Sequence, residues 1–512
     1  MDNRKKGVIA SYIYLIVNIV VNIFYVPILL NNLGKNEYGL YQIVGSIFAY
    51  LSIFESSISS GVLRFYCKAF AEGNKKQMEN VLAIARIIYR ILSLIIILVG
   101  IVGIWGFRIF YSDSLTVSEI NESTIMLVIL LINMIVTMAN AIYLATINAN
   151  EKFALIKVLA MITQIVQPIL CVLVLAKLPY ALTVTIIQLI VNIIVSVFRY
   201  FYSTRKLSVK VYLHKFDYML SKNIIIFAGS ILLASVADQI FWKADQIILG
   251  KLYSTEVVAV YAIGSQIYTN YSYVGTAVSS VFFPRLSKLY MEHDGIRKIS
   301  DLFIRVGRIS FQILLLVLTA FIVFGQEFIT IWVGKEYQEA YLIALMVLVP
   351  FTIDLTQNLG LSILQVVNKY SFRAKMYFVA ALLNIISTIY MAQYWAGVGA
   401  AASTGITMLI TSGLILNFYY YKIIGLDIKS FWKNIILILG KMLPLVILSY
   451  ILNKTIVTPI NIYILIIKML LYCIIYIAIL YLGAMNKYEK EVMKSMISKI
   501  IFAIKSILHL RV

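Results

Sequence analysis

The chain has 512 residues, of which 62% are hydrophobic and only 13% carry a charge. This balance excludes a water-soluble protein and predicts an all-α polytopic membrane protein. The formal net charge of +21 is typical of nucleic-acid-binding proteins as well as of membrane proteins with basic loops, so the location of the basic residues decides between them.

Apolar runs of about 20 residues, the length that crosses the hydrocarbon core of a bilayer, recur along the whole chain. The first run is too long for a signal peptide and lacks a small-residue cleavage site, so we expect it to be retained. We predict fourteen transmembrane spans, numbered in chain order: 8–30, 40–62, 83–106, 125–147, 153–175, 180–202, 224–250, 257–282, 302–324, 340–366, 374–395, 398–421, 434–452 and 462–483.

The basic residues are distributed unequally between the two sides of this topology. Most of the 44 Lys and Arg residues fall in the even-numbered loops and at the two termini. The positive-inside rule therefore predicts a bacterial plasma (inner) membrane protein with both termini in the cytoplasm. The excess charge then faces anionic membrane lipids, and we expect no nucleic-acid partner.

The chain also contains an internal repeat. The stretch "LGKNEYGLYQIVGS" begins at Leu33, and "LGKLYSTEVVAVYAIGS" begins at Leu249. A shift of six spans preserves the orientation, which predicts two six-helix bundles related by a pseudo-twofold axis along the membrane normal. The predicted domains are an N-terminal bundle at 1–202, a basic cytoplasmic linker at 203–223, a C-terminal bundle at 224–421, spans 13 and 14 within 422–483, and an amphipathic cytoplasmic tail at 484–512.

Span 7 carries charges inside an apolar helix. Its sequence "ADQIFWKADQIILGK" contains Asp238, Lys243 and Asp245, which share a polar arc with Gln239 on a helical wheel. An ionised group at mid-membrane costs about 2.5 to 3.5 kcal/mol on insertion scales, so this arc must face protein or water. Two interpretations remain open, namely a structural ion pair and a role in a water-filled cavity that includes coupling to protons.

Other spans carry neutral polar groups and basic groups at positions that are compatible with a shared cleft. Hydroxyls, amides and aromatic rings on spans 1, 2, 8 and 10 would line a cleft that suits sugar rings. Arg86, Arg90 and Arg308 lie near the cytoplasmic rim, where they would bind a pyrophosphate or extend toward lipid phosphates, whereas Glu55 is expected to be structural. The predicted cavity residues are Asn18, Asn22, Gln42, Arg64, Asp238, Gln239, Lys243, Asp245, Gln266, Asn270, Tyr273, Arg305 and Asp354.

Motifs for enzymatic chemistry are missing from the sequence. It contains no Walker A loop, no HExxH and no GxSxG, and its three His lie outside the spans. The three Cys form no CxxC pair. We therefore expect no catalytic residue, no metal site and no cofactor, and we expect that the protein is not an enzyme.

Three motifs carry a family resemblance, namely "LGKNEYGLYQ", "ADQIILGK" and "YAIGSQIY". Together they resemble the Wzx-type polysaccharide flippases of the MOP exporter superfamily, which are relatives of the MATE antiporters. The resemblance implies a MATE-like fold and a lipid-linked oligosaccharide substrate, an undecaprenyl-pyrophosphate-linked repeat unit moved from the inner to the outer leaflet. It places headgroup-binding roles at Arg64, Lys243 and Arg305. It also implies polysaccharide polymerase and glycosyltransferase partners, and O-antigen, lipopolysaccharide or capsule as the product.

Alternatives remain at this stage. A MATE-type drug antiporter, coupled to H+ or Na+, would take cationic substrates that suit the two Asp of span 7, although such proteins more often stop at twelve helices. A flippase for a peptidoglycan precursor or a teichoic acid unit would share the fold. A polymerase or ligase would need a large outer loop, and the longest one predicted here is only 107–124.

Overall fold

The computed structural model describes residues 3–279, 282–456, 459–495 and 498. Throughout this part of the chain the secondary structure is helical, and it contains no strand. The predicted all-α polytopic fold class is therefore confirmed. The part of the predicted amphipathic tail beyond residue 495 lies almost entirely outside the described residues.

The first long helix, Asn3–Ala71, is two helices joined at Gly34. This residue has φ 74° and ψ 177°, a conformation that glycine adopts without the penalty of a Cβ atom. Helix α1 is therefore 3–33 and α2 is 35–71. Tyr14 and Ser52 lie at nearly equal sequence distances from the break and line one chamber, so α1 and α2 form an antiparallel hairpin.

Six further helices follow up to Ser279. Helix α3 begins after Asn74, whose side chain accepts a hydrogen bond from the Gln77 N–H, and α4 begins with a capping box formed by Thr116 and Glu119. The helices are α3 (Lys75–Phe110), α4 (Val117–Ala149), α5 (Phe153–Leu175), α6 (Ala181–Phe201), α7 (Tyr218–Leu252) and α8 (Thr255–Ser279).

The second half of the chain contains a second interrupted helix. Tyr370–Met408 breaks at Trp395 and Ala396, where Ala396 has φ 43°. The segments on either side, 370–394 and 397–408, are α13 and α14, and helical turns continue from α14 to Ile424. The other helices are α9 (Phe283–Tyr290), α10 (Gly295–Trp332), α11 (Ala340–Thr356), α12 (Leu359–Val366), α15 (Ile428–Thr455) and α16 (Ile462–Ile479); residues 487–495 form one more helical segment.

Many of these helices can cross a membrane. Within the described residues, ten are long and apolar enough, or eleven if α11 and α12, bent by 44°, count as one span. Two of the ten, Ile9–Ala71 and Tyr370–Ile424, contain the breaks described above. The protein is therefore a multi-pass membrane protein, whereas the total of fourteen spans and the pseudo-twofold axis stay predictions.

The chain divides into two compact units. The first unit comprises Met1–Ile263 and Tyr377–Ser403, and the second comprises Gly264–Met376 and Thr404–Val512. The predicted domain boundaries, which follow the sequence repeat, stay a prediction.

Each unit has its own apolar core. In the first unit, α2, α3, α4 and α7 meet around Tyr66, Ile84 and Met138, which are all buried. In the second unit, Phe303 of α10 stacks on Phe431 of α15 with 4.5 Å between ring centroids. Core packing of this kind fixes the helices on which the polar side chains of each unit stand.

Candidate functional site

Asp245 is enclosed within the first unit. Only 2% of its surface is exposed, and its carboxylate accepts hydrogen bonds from the Tyr261 hydroxyl and, at 3.0 Å, from the Thr388 hydroxyl. The same Thr388 hydroxyl lies 3.1 Å from that of Ser403. A buried carboxylate requires such partners, and these connect α7 to α8 and α13.

The remaining polar residues of α7 are in different environments. The Ser46 hydroxyl donates to the side-chain oxygen of Gln246, which ties α7 to α2. Asp238 is exposed, and Lys243 and Gln239 are half-buried; the side-chain oxygen of Gln239 has no hydrogen-bond partner among the described residues. The polar arc therefore has one end that is packed and one that is accessible.

The predicted residues on α1 and α2 also lie in the first unit. The Asn22 amide donates to the Asn18 side-chain oxygen at 3.2 Å, and both residues are half-buried, as is Gln42. Arg64 is exposed, and its guanidinium carbon lies 4.4 Å from the centre of the Phe227 ring. This cation–π contact holds the charged group against α7 while leaving it accessible.

The other predicted site residues lie in the second unit. Gln266 and Asn270 are half-buried and Tyr273 is exposed. Arg305 is exposed, with its guanidinium 5.6 Å from the centre of the Tyr488 ring. Asp354 is buried and accepts a hydrogen bond of 2.6 Å from the Ser412 hydroxyl.

Arg308 does not have the role expected of it. Its side chain is buried and forms an ion pair with Glu489, donates to Asn434 at 2.9 Å, and donates to the Ala484 carbonyl at 3.0 Å. Because these partners occupy the guanidinium, Arg308 is not available for a pyrophosphate. The expectation that it lies at an accessible rim is wrong, and its acidic partner lies in a segment for which only an amphipathic surface helix was predicted.

A polar chamber of about 380 Å³ lies inside the first unit, and sequence reasoning missed most of it. It is lined by residues of α1, α2, α4, α5 and α6. Glu55 and Arg199 both face it, so Glu55 has a place in this chamber. Its other polar lining residues are Tyr14, Ser52, Asn133, Thr137, Thr163, Gln164, Gln167, Gln188 and Asn192.

Hydrogen bonds hold part of the chamber wall in place. The Asn192 amide of α6 donates to the Thr137 hydroxyl of α4 at 2.8 Å and to Asn133. The Ser59 hydroxyl donates to Glu55 at 2.8 Å. Several carboxamide and hydroxyl groups in the lining therefore stand where they can both donate and accept hydrogen bonds with a guest molecule.

A carboxyl pair outside the predicted spans is formed by Glu37, at the tip of the α1/α2 hairpin, and Glu122, in the second turn of α4. Glu37 accepts the backbone N–H of Ala181 at 2.7 Å, and Glu122 accepts that of Leu182 at 3.0 Å. The two carboxyl groups thereby satisfy free N–H groups at the start of α6. Burial raises the pKa of Glu37 to about 7, opposed by the Ala181 N–H and reinforced by the neighbouring Glu122 and Glu119.

A bundle of apolar helices with a chamber of polar side chains between them is typical of membrane proteins of the transporter class. The chain belongs to a family described as "Polysaccharide biosynthesis protein", whose family model matches residues 32–342. Together with the relatives described next, this match confirms the predicted resemblance to polysaccharide flippases of the MOP superfamily.

Individual relatives agree with this assignment. A protein of Shigella flexneri described as "Putative O-antigen transporter" is 21% identical over 404 residues, which cover 77% of this chain and 92% of the relative. The lipid II flippase MurJ, in an inward closed conformation, superposes with a TM-score of 0.72 and 17% identity, over 93% of this chain and 98% of MurJ. An inward-facing MATE family multidrug transporter superposes with a TM-score of 0.64 and 12% identity, over 82% of this chain and 99% of that transporter. The two structures establish the fold.

Proposed function

We propose that the protein moves an undecaprenyl-pyrophosphate-linked oligosaccharide repeat unit from the inner to the outer leaflet of a bacterial plasma membrane, for the synthesis of a surface polysaccharide. It would do so by alternating access, with both termini in the cytoplasm and without chemical conversion of its cargo. Glycosyltransferases would supply this cargo, and a polysaccharide polymerase would consume it.

The observation that carries the proposal is the polar chamber in a chain of the polysaccharide biosynthesis family. Sugar hydroxyls both donate and accept hydrogen bonds, and so do the carboxamides and hydroxyls that line this chamber. A predominantly neutral polar lining lowers the desolvation penalty of a saccharide inside the membrane without requiring that the saccharide be charged.

The pair of opposite charges in the chamber favours a saccharide over a cationic drug. A cation would be attracted by Glu55 and repelled by Arg199, and both side chains face the same space. A neutral or zwitterionic sugar can bind to both. For this reason a MATE-type drug antiporter is the weaker candidate, while H+ or Na+ coupling and another lipid-linked cargo remain compatible with the fold.

A deletion strain complemented by variants tests the proposal. The deletion should cause lipid-linked repeat units to accumulate on the cytoplasmic leaflet, as measured by extraction and labelling of the lipid-linked saccharides. Asn192→Leu should lower export about three- to tenfold, since it removes hydrogen-bonding groups from the chamber wall. The matched change Asn31→Leu, at an exposed position, should export normally.

Two results would contradict the proposal. Normal surface polysaccharide in the deletion strain would exclude the protein from this pathway. Retention of cationic dyes in the deletion strain, with unchanged saccharide export, would assign the fold to drug efflux instead. Immunodetection of each variant in the membrane fraction separates a transport defect from a loss of protein.

A further inference from the structure

A second and larger cavity lies on another side of the α4/α6 pair. It is a groove of about 850 Å³ bounded by α3, α4 and α6, and its volume falls within the range of about 300 to 1,000 Å³ typical of ligand sites. Met138 and Ala139 of α4 line it, whereas Asn133 and Thr137 of the same helix line the polar chamber. The groove is therefore a separate site.

The groove walls are mostly apolar and open toward the surroundings. Leu94 of α3 is 63% exposed, and Val197 and Phe201 of α6 are 48% and 44% exposed. Ile135, Met138 and Ile142 of α4 complete the apolar lining. In a protein that spans a membrane, such a wall accommodates a hydrocarbon chain.

Two guanidinium groups stand in this apolar lining. Arg86 and Arg90 are one helical turn apart on α3, so they project on the same face. Arg86 donates to the Tyr143 hydroxyl at 3.1 Å, and Arg90 is exposed and forms no ion pair with any described residue. Paired arginines of this kind bind an anionic phosphate through several charge-assisted hydrogen bonds.

Two further groups point to a hydroxylated headgroup. Asn140 and Ser196 line the groove, and each keeps a buried side-chain oxygen that has no hydrogen-bond partner among the described residues. Only 2% of the surface of Ser196 is exposed. Buried polar oxygens normally have partners, and an acceptor such as the Asn140 oxygen requires a donor O–H or N–H from outside the protein.

We propose that this groove is a binding site for an anionic phospholipid with a hydroxylated headgroup, of the phosphatidylglycerol type. Its phosphate binds Arg86 and Arg90, its headgroup hydroxyls reach Asn140 and Ser196, and its acyl chain lies along the apolar wall. A phosphatidylethanolamine would bring an ammonium group next to two guanidinium groups, which disfavours it. This lipid site is independent of the proposed function. If the groove binds no phospholipid, the proposed transport of a lipid-linked saccharide is unaffected.

Lipid titration of the purified full-length protein in detergent tests the site, with bound lipid counted by native mass spectrometry. Phosphatidylglycerol and phosphatidylethanolamine with identical acyl chains are compared. The wild type should bind the former about tenfold more tightly, and the double variant R86Q/R90Q should lose this preference. The matched control R285Q/R297Q removes the same charge at exposed positions and should keep it.

A second variant distinguishes the contribution of the groove's shape to lipid binding from that of its positive charge. Ala139→Trp places a large side chain in the groove while it leaves both arginines intact, and it should weaken phosphatidylglycerol binding about tenfold as well. Equal binding of the two lipids by the wild type would overturn the proposal. So would an equal loss in R285Q/R297Q, full binding by Ala139→Trp, or displacement of phosphatidylglycerol by undecaprenyl pyrophosphate at a lower concentration, which would make the groove a cargo site.

Discussion

The Arg308–Glu489 pair predicts how the segment after α16 is held in the second unit. The carboxylate of Glu489 accepts from Arg308 at 3.0 Å, from Gln312 at 3.0 Å, and from the backbone N–H of Asn486 at 2.9 Å. Arg308 is 7% exposed and Glu489 is 3% exposed. Solvent screening of this pair is therefore weak, and the pair ties residues 487–495 to α10.

Replacement of Glu489 by Gln keeps the shape of the side chain and removes its charge. The guanidinium of Arg308 would then be buried without a counter-charge, a change that costs about 3 to 5 kcal/mol when one partner of a buried pair is removed. Since each 1.4 kcal/mol is a factor of ten, the population in which residues 487–495 are detached should rise by about two to three and a half orders of magnitude.

Limited proteolysis measures this population. Trypsin can cut after Lys487 and Lys490 only when the helical segment opens, so cleavage should accelerate about a hundredfold or more in Glu489→Gln. Glu491→Gln, a matched charge change at an exposed position of the same segment, should be cut at the wild-type rate. Equal cleavage of Glu489→Gln and wild type would refute the reasoning, and so would equal acceleration in the control.

The same pair makes the segment sensitive to acid. Burial raises the pKa of Glu489, but the hydrogen bonds from Arg308, Asn486 and Gln312 outweigh it and hold the pKa below its ordinary value. A carboxyl group whose pKa is lowered on folding stabilises the folded state above its ordinary pKa of about 4.3. This contribution is lost as the pH falls through the pKa of the group in the folded state. Tail cleavage by an acid-active protease should therefore increase below about pH 4 in the wild type.

Two further predictions concern the α1/α2 hairpin. A Cβ atom at Gly39 would overlap the carbonyl oxygen of Thr255, so Gly39→Ala should destabilise the first unit by about 1 to 3 kcal/mol, whereas Gly45→Ala, which has open space, should be neutral; thermal unfolding of the purified variants decides, and equal melting temperatures would contradict the contact. The raised pKa of Glu37 means that the folded state binds a proton more tightly than the unfolded chain, so the contribution of this group to stability is fully present below about pH 4.3 and is lost as the pH rises through about 7. Melting temperatures measured from pH 5 to pH 8 should fall in the wild type and stay flatter in Glu37→Gln; a parallel decline in both would show that another group titrates.

The sequence predicted the fold class well because that prediction depends on local properties. Apolar runs of the required length identify membrane helices without knowledge of their neighbours. The break at Gly34 also follows from the sequence, since "LGK" stands between two apolar runs. The family resemblance, which rested on short motifs in a fixed order, was confirmed by a match that covers residues 32–342.

The polar sites were harder to predict because they depend on which helices pack together. Gln188 and Asn192 show the i, i+4 spacing of a polar helix face, and this signal was available in the sequence. That this face meets Thr137 of α4 and Glu55 of α2 is a tertiary fact. The thirteen predicted cavity residues stay a prediction, although the structure places Asp245 in a hydroxyl-lined interior.

Arg308 illustrates the same limit from the opposite direction. Its position near the end of a span is compatible with an accessible rim. Only the contact with Glu489, 181 residues later, shows that its guanidinium is already paired with a carboxylate. A helical wheel shows the residues of one helix only, so it cannot show a partner that lies in another segment. A long side chain near a helix end therefore cannot be assigned to solvent from its own helix alone.

The place of Glu489 has a practical consequence for mapping topology with reporter fusions. A reporter enzyme joined after Ala484 would remove Glu489 from the chain. Arg308 would then be buried without its acidic partner, so a missing signal would reflect degradation of the fusion. A junction after Ser495 keeps the partner in place. Only that second junction would report the side of the bilayer on which the chain ends.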